Sequence, residues 1–195
     1  MNKKSVAKQQ RIENILLSLK KMDYLTRRQI QTIHNLGGDR NANRILNDMN
    51  EYLQSFRHGM ELVYYLSKTG RERVKCEVIR KKTPNIQHFL LRNQLWIYLK
   101  CPSSWKNEVK IKASDTTIIC DAVFYQGDTP IFVEVDCSQS MAINKSKIDK
   151  YRKIRELTGQ DFILVWLTEL ESRRPRLNAL CSGLKTRVFT INEIK

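Results

Sequence analysis

"TPIFVEVDCSQS", residues 129–140, is the stretch on which the fold turns. Successive side chains of a strand point to opposite faces, so Ile131, Val133 and Val135 fall on one side and Phe132, Glu134 and Asp136 on the other. Two carboxylates on one face of an otherwise apolar strand cost free energy unless something partners them. The remaining sequence has to supply those partners and a reason for holding them.

The chain has 195 residues, enough for one large or two small domains. Hydrophobic residues make up 41% and charged residues 28%, a balance that suits a globular protein rather than a disordered one. Thirty-five Lys and Arg stand against 20 Asp and Glu, a net charge of +15, and such an excess points to a polyanion partner, nucleic acid or an acidic membrane surface. Residues 1–82 carry 18 basic and 8 acidic side chains, and residues 83–195 carry 17 and 12, so a phosphate-binding face is sought first in the N-terminal part. The five cysteines are odd in number and form no CxxC pair, which argues against a disulfide framework and a zinc knuckle. Cys120 lies in an apolar strand run and is expected to be a buried thiol. The opening "MNKKSVAKQQRIENILL" has no signal-peptide core, and no stretch is long enough to span a bilayer, so a reducing cytoplasm is the expected location.

Three helices and a ribbon are expected over residues 1–75. Ile12, Ile15, Leu16 and Leu19 recur at helical spacing within residues 8–21. "LTRRQIQTIHNLGG" reads as a second helix capped by Thr26, with Ile30 and Ile33 inward and Gly37–Gly38 in the turn after it. Asp39 is placed to cap a third helix, "RNANRILNDMNEYL", whose Ala42, Ile45, Leu46 and Met49 form a core stripe. Arg40, Asn43, Arg44 and Asn47 then face outward, and Arg and Asn carry the donors and acceptors that match guanine and adenine edges in a major groove. "YLQSFR" and "ELVYYLS" flank a turn at His58–Gly59 and read as a two-stranded ribbon, the wing of a winged helix-turn-helix. Arg27 and Arg28 beside the second helix and Arg57 on the ribbon complete the candidate DNA-binding set. A winged helix devoted to protein contacts is the alternative. A basic connector over residues 76–83, within "SKTGRERVKCEVIRKKTPN", then leads to residues 84–195.

That second part reads as helix, three strands, helix, strand, helix, strand. Thr83 can cap "NIQHFLLRNQLWIYLK". The strand candidates are "WKNEVKIKA", "TTIICDAVFYQ", "PIFVEVDC", "DFILVWLT" and "TRVFTI"; the apolar run of the fourth suits the covered centre of a parallel sheet. Ile119, Asp121 and Val123 share a face of the second strand. Pairing through the "GDTP" turn would bring Asp121 to Glu134 and Asp136, with Glu108 a further candidate from the neighbouring strand. Carboxylates converging within roughly 4–6 Å repel unless a cation lies between them, and Mg²⁺ suits an all-oxygen site.

Asp121 followed by "Glu134-Val135-Asp136" in this order of elements resembles the PD-(D/E)XK nuclease superfamily. The overall class expected is therefore α+β, a winged helix-turn-helix followed by a restriction-endonuclease-like domain. In that superfamily an Asp and an acid-x-Lys on adjacent strands bind metal and activate water. The resemblance implies that Asp121 and Glu134 are the two acids and Glu108 an upstream third, and it places Asp136 where the lysine is expected. Lys147, in "KIDKY" with Tyr151, offers a relocated lysine, as in some members. At about 100° per residue it points into the stripe of Ile143, Tyr151, Ile154 and Leu157, so it either reaches a carboxylate or snorkels.

"LTRRQIQTIHNLGGDRNANRIL", "VYYLSKTGRE", "NIQHFLLRN", "DAVF" and "FVEVD" together are similar to the replication-relaxation family of plasmids, phages and conjugative elements. That resemblance implies a role in replication, DNA relaxation or gene control. Three functional outcomes stand open. In one, the chain binds duplex DNA with no cofactor, as a monomer or a homodimer, and its nuclease-like half is degenerate. Alternatively it is an endonuclease or nickase in which Mg²⁺ or Mn²⁺ is held by Asp121, Glu134 and Glu108, with Asp136 and Lys147 completing the catalytic set. Or Glu134 and Asp136 belong to a structural ion-pair cluster with Lys147 and an arginine. His34, His58 and His88 lack zinc-ligand spacing, and "LGGD" lacks the features of a phosphate loop.

Overall fold

The computed structural model describes residues 3–137 and 139–194 as an α+β protein with two sheets. The chain divides into two compact units, Met1–Asn93 and Gln94–Lys195. No helix is long and apolar enough to cross a membrane among the described residues.

The first unit begins with α1 (Lys3–Met22), which buries Ile12, Ile15, Leu16 and Leu19. A two-residue strand β1 (Leu25–Thr26) leads into α2 (Arg27–Ile33). Thr26 caps α2 through a reciprocal pair with Gln29: its hydroxyl accepts from the Gln29 amide, and the Gln29 side chain accepts from the Thr26 amide. α3 (Asp39–Asn47) is shorter than its sequence pattern suggests, because the chain turns at Asp48 and Met49 is buried from beyond the helix end. Asp39 is also not the cap. Gly38 holds that position, and the Asp39 carboxylate pairs with Arg27 at 2.7 Å.

β2 (Leu53–His58) and β3 (Glu61–Leu66) form an antiparallel hairpin closed by Gly59–Met60, and β1 adds to β3 on its other edge. α4 (Lys68–Arg73) starts at Ser67, whose hydroxyl accepts from the Gly70 amide. A Cβ on Gly70 would lie 2.1 Å from the Tyr52 carbonyl oxygen, so only glycine allows this approach. The basic connector is used in packing: Arg80 pairs with Asp23 at 2.8 Å, the Lys81 carbonyl accepts from the Tyr24 hydroxyl at 2.6 Å, and Lys82 lies over the Phe56 ring. α5 (Ile86–Tyr98) follows, and the division between units falls inside it. Its buried Asn93 donates to the carbonyls of Met22 and Tyr24, satisfying backbone acceptors where α1 ends.

The second unit is built on five strands in the order β4 (Lys106–Ala113), β5 (Thr116–Gln126), β6 (Thr129–Asp136), β7 (Ile163–Thr168), β8 (Thr186–Thr190). The first three pair antiparallel, and β6, β7 and β8 run parallel. The parallel steps need crossover helices, and α6 (Met141–Thr158) and α7 (Arg174–Leu180) provide them. Both helices contribute to one core: Ile148, Tyr151 and Ile154 from α6 and Leu177 from α7 meet Phe132, Leu164, Trp166 and Val188 of the sheet. One shared face is what the common right-handed crossover requires. β7 is buried along almost its whole length, as expected for a covered parallel centre.

The buried stripe of α6 departs from the one read along the sequence. Asn144, Ile148, Tyr151 and Ile154 face inward, whereas Ile143 and Leu157 are each 49% exposed. The helix is rotated so that Lys147 borders the core.

Candidate functional site

Two groups of residues carry chemistry, one in each unit. In the first, Ala42, Ile45 and Leu46 turn α3 inward by burial, which leaves Arg40, Asn43, Arg44 and Asn47 exposed on its opposite side. The side chains of Arg40, Asn43, Asn47 and Arg57 make no hydrogen bond or ion pair among the described residues. Arg44 donates to Asn41 at 2.8 Å yet remains 66% exposed. Arg28 is 78% exposed and lies 3.7 Å from Glu61 on the hairpin. Arg27 differs, because its guanidinium is spent on Gln31 and Asp39 and ties α2 to the start of α3. The Arg27 bonds hold the exposed Asp39 carboxyl below its usual range.

In the second unit the sheet breaks where the acids sit. β4 and β5 pair at Asn107↔Ala122 and again at Val109↔Cys120, and the ladder skips Glu108 and Asp121 between them. Glu108 adopts φ 51°, in the left-handed region, and is exposed. A break of this kind re-aims side chains. Cys120 and Val123 consequently enter the same core although three residues apart, and Val123 does not share the face of Ile119 and Asp121. β5 and β6 pair only from Ala122↔Val133 outward. Beyond that point the Asp121 carboxylate takes the place of a ladder acceptor and receives the Val135 amide at 2.7 Å.

Glu134 is fully buried on β6. One carboxylate oxygen accepts from the Tyr151 hydroxyl at 2.7 Å, and the other from the Lys147 ammonium. Lys147 and Tyr151 stand one helical turn apart, so one face of α6 delivers both donors. Burial and the nearby Asp121 charge push the Glu134 carboxyl up to about 8, against the opposing pull of Lys147. Burial alone would lower Lys147, but the Glu134 and Asp121 carboxylates outweigh it and hold the ammonium above its ordinary value. The Tyr151 hydroxyl is raised by burial and by Glu134, which keeps it a neutral donor. Cys120, beneath this group, is pushed up to about 12 by burial and by Glu134, so it is an inert thiol.

Asp136 is also fully buried but has a separate partner. Arg173, in the short 3₁₀ turn before α7, grips it through two bonds, Nε to Oδ2 at 2.5 Å and Nη2 to Oδ1 at 2.9 Å. Thr168 adds a third at 3.2 Å. The fork-to-carboxylate geometry is the strong form of this pair. An arginine partner is expected from the sequence, but its position is not. The weak signal was "ESRRP" just past the strand that neighbours β6 in the sheet.

The structure therefore gathers Asp121, Glu134 and Lys147, adds Tyr151, holds Asp136 through Arg173, and leaves Glu108 on the exposed break in β4. Among the described residues, no group of three or more His, Cys, Asp or Glu is placed to hold a metal ion.

A family model described as replication-relaxation matches residues 16–162. The crystal structure of protein VC1899 from Vibrio cholerae is similar at a TM-score of 0.40 and 12% identity. That match covers 94% of this chain and 47% of the other, so this chain spans about half the length of that protein. No curated protein matches the chain.

Proposed function

This chain belongs to the replication-relaxation family, and from that premise we propose that it binds duplex DNA for a mobile element, in replication, relaxation or transcriptional control. The first unit is a winged helix-turn-helix whose α3 lies in the major groove with the β2–β3 ribbon beside it. The outward face of α3 carries this proposal. Arg40, Asn43 and Asn47 are exposed on one side of a rigid helix and have no partner among the described residues. Side chains of these types read base edges by bidentate hydrogen bonds, each worth about 1–3 kcal/mol of discrimination.

We read the second unit as a PD-(D/E)XK nuclease-like domain and assign it a non-cleaving role. Glu134 is held by Lys147 and Tyr151, Asp136 by Arg173 and Thr168, and Asp121 accepts the Val135 amide. This donor set does not fit Mg²⁺ or Mn²⁺, because the ammonium of Lys147 already supplies the counter-charge a cation would bring. One observation favours hydrolysis as a second outcome. Lys147 converges on the acid that the nuclease resemblance assigns to catalysis, next to Asp121.

Supercoiled plasmid with Mg²⁺ or Mn²⁺ separates the two. Retardation without nicking is expected. Nicking that vanishes in Asp121→Ala or Glu134→Ala would establish the hydrolase instead.

A further inference from the structure

A cleft of about 130 Å³ lies between α1 and the C-terminal half of α3, lined by Lys8, Arg11, Ile12, Arg44, Ile45, Asp48 and Met49. Its floor is apolar and closed: Ile12, Ile45 and Met49 are 7%, 6% and 1% exposed. Three cations and one carboxylate share its walls.

The charges there are not cancelled elsewhere. α1 contains a single acid, Glu13, which is engaged by Arg73 at 3.3 Å. Lys20, on the same helix, is spent on the carbonyls of Val74 and Lys75. Lys8 and Arg11 have no hydrogen bond or ion pair among the described residues. Among the described residues Asp48 pairs only with Arg44, at 3.9 Å. The C-terminal end of a helix attracts cations, which is a sufficient role for Arg44. It does not explain two further unpaired cations brought from another helix to the same cleft.

We propose that this cleft seats a backbone phosphate of the bound duplex, with Lys8 and Arg11 of α1 clamping the strand beside the groove that α3 occupies. The inference rests on the DNA-binding function proposed above and adds α1 to the interface. Arg44 then sits between the two contacts, its exposed guanidinium within reach of the groove edge and of the clamped phosphate. Phosphate contacts of this kind fix orientation and carry no sequence information.

The test is the salt dependence of duplex binding by the full chain, compared between wild type and Lys8→Gln/Arg11→Gln. Each neutralised phosphate contributes about 0.9 to the slope of log affinity against log salt, so the double variant, which gives up the one seated phosphate, is expected to lose about 0.9 of slope. Between about 50 and 200 mM salt, its affinity then falls roughly three- to fourfold less than that of wild type. The ranking of preferred over unrelated duplexes stays unchanged. Both residues are exposed, and circular dichroism checks that the variant folds. A wild-type slope in the double variant overturns the clamp and leaves α3 as the reader. A changed ranking of sequences also overturns it, because a phosphate contact cannot produce one. A wild-type chain without duplex affinity overturns the DNA-binding function, and the clamp falls with it.

Discussion

Lys147 on α6 donates to Glu134 on β6, thirteen residues earlier in the chain, and Tyr151 one turn further along the same helix donates to the other oxygen of that carboxylate. The Glu134 side chain is completely buried, while that of Lys147 keeps 24% exposure. A cation at the edge of the core thus offsets a carboxylate inside it. Removing one partner of such a pair costs about 3–5 kcal/mol, because the other stays buried and unpaired.

Above pH 8, where Glu134 is ionised, Lys147→Met is accordingly expected to lower the unfolding free energy by about 3 kcal/mol. Lys147→Met combined with Glu134→Leu should recover most of that loss, since a matched apolar pair leaves no stranded charge. Urea denaturation of the three chains measures both effects. Equal destabilisation by the single and double changes would mean that Lys147 acts through packing alone.

The same carboxyl gives a pH signature. Glu134 is pushed up to about 8 in the folded chain from an ordinary value of 4.5. Between those values the folded chain holds a proton that the unfolded chain has released, so stability from this group is full below 4.5 and falls as pH rises through 8. The slope is at most about 1.4 kcal/mol per pH unit. Glu134→Gln has no proton to lose there, and its stability should be flatter over that window than that of wild type. Parallel pH profiles from thermal melts would rule out the shift.

Arg173→Ala leaves Asp136 with only Thr168, among the described residues, as a side chain that hydrogen-bonds to it. A loss of about 3 kcal/mol or more is expected. Arg173→Lys should restore only part of it, because an ammonium cannot reproduce the two parallel bonds of the guanidinium. Full recovery with lysine would show that charge alone matters at this position.

Gly70→Ala places a Cβ 2.1 Å from the Tyr52 carbonyl oxygen. The neighbour is backbone and cannot swing away, so the first unit should lose on the order of 1–3 kcal/mol through overpacking. A melting temperature equal to that of wild type would show that α4 can shift at no cost.

Arg40→Ala with Arg44→Ala removes both cations from the outward face of α3 without touching its buried stripe. Duplex affinity should fall at least tenfold, on a scale of about 1–3 kcal/mol per base contact, with the fold retained. Fluorescence anisotropy at moderate salt checks this, and an unaltered affinity would exclude α3 as the reading helix.

Much of the architecture could be read directly from residue order. The Thr26 cap, the inward Ala42–Ile45–Leu46 stripe, the ribbon around Gly59 and the buried β7 all express rules that operate within one turn of helix or one strand pair. Glu134 and Asp136 were conspicuous for the same reason, as charges inside an apolar alternation. What satisfies them was not open to that treatment. Arg173 meets Asp136 across 37 positions of sequence because the parallel crossover through α6 brings the end of β7 beside the end of β6. The left-handed turn at Glu108, which coincides with the break beside Asp121 and the entry of Val123 into the core, has no local mark, since glutamate gives no hint of positive φ. The rotation of α6, which sets Lys147 at the core edge and exposes Ile143 and Leu157, depends on which neighbours fill the space beneath it. Periodicity and capping are short-range and survive in a linear string, whereas the partner of a buried charge depends on how distant segments pack.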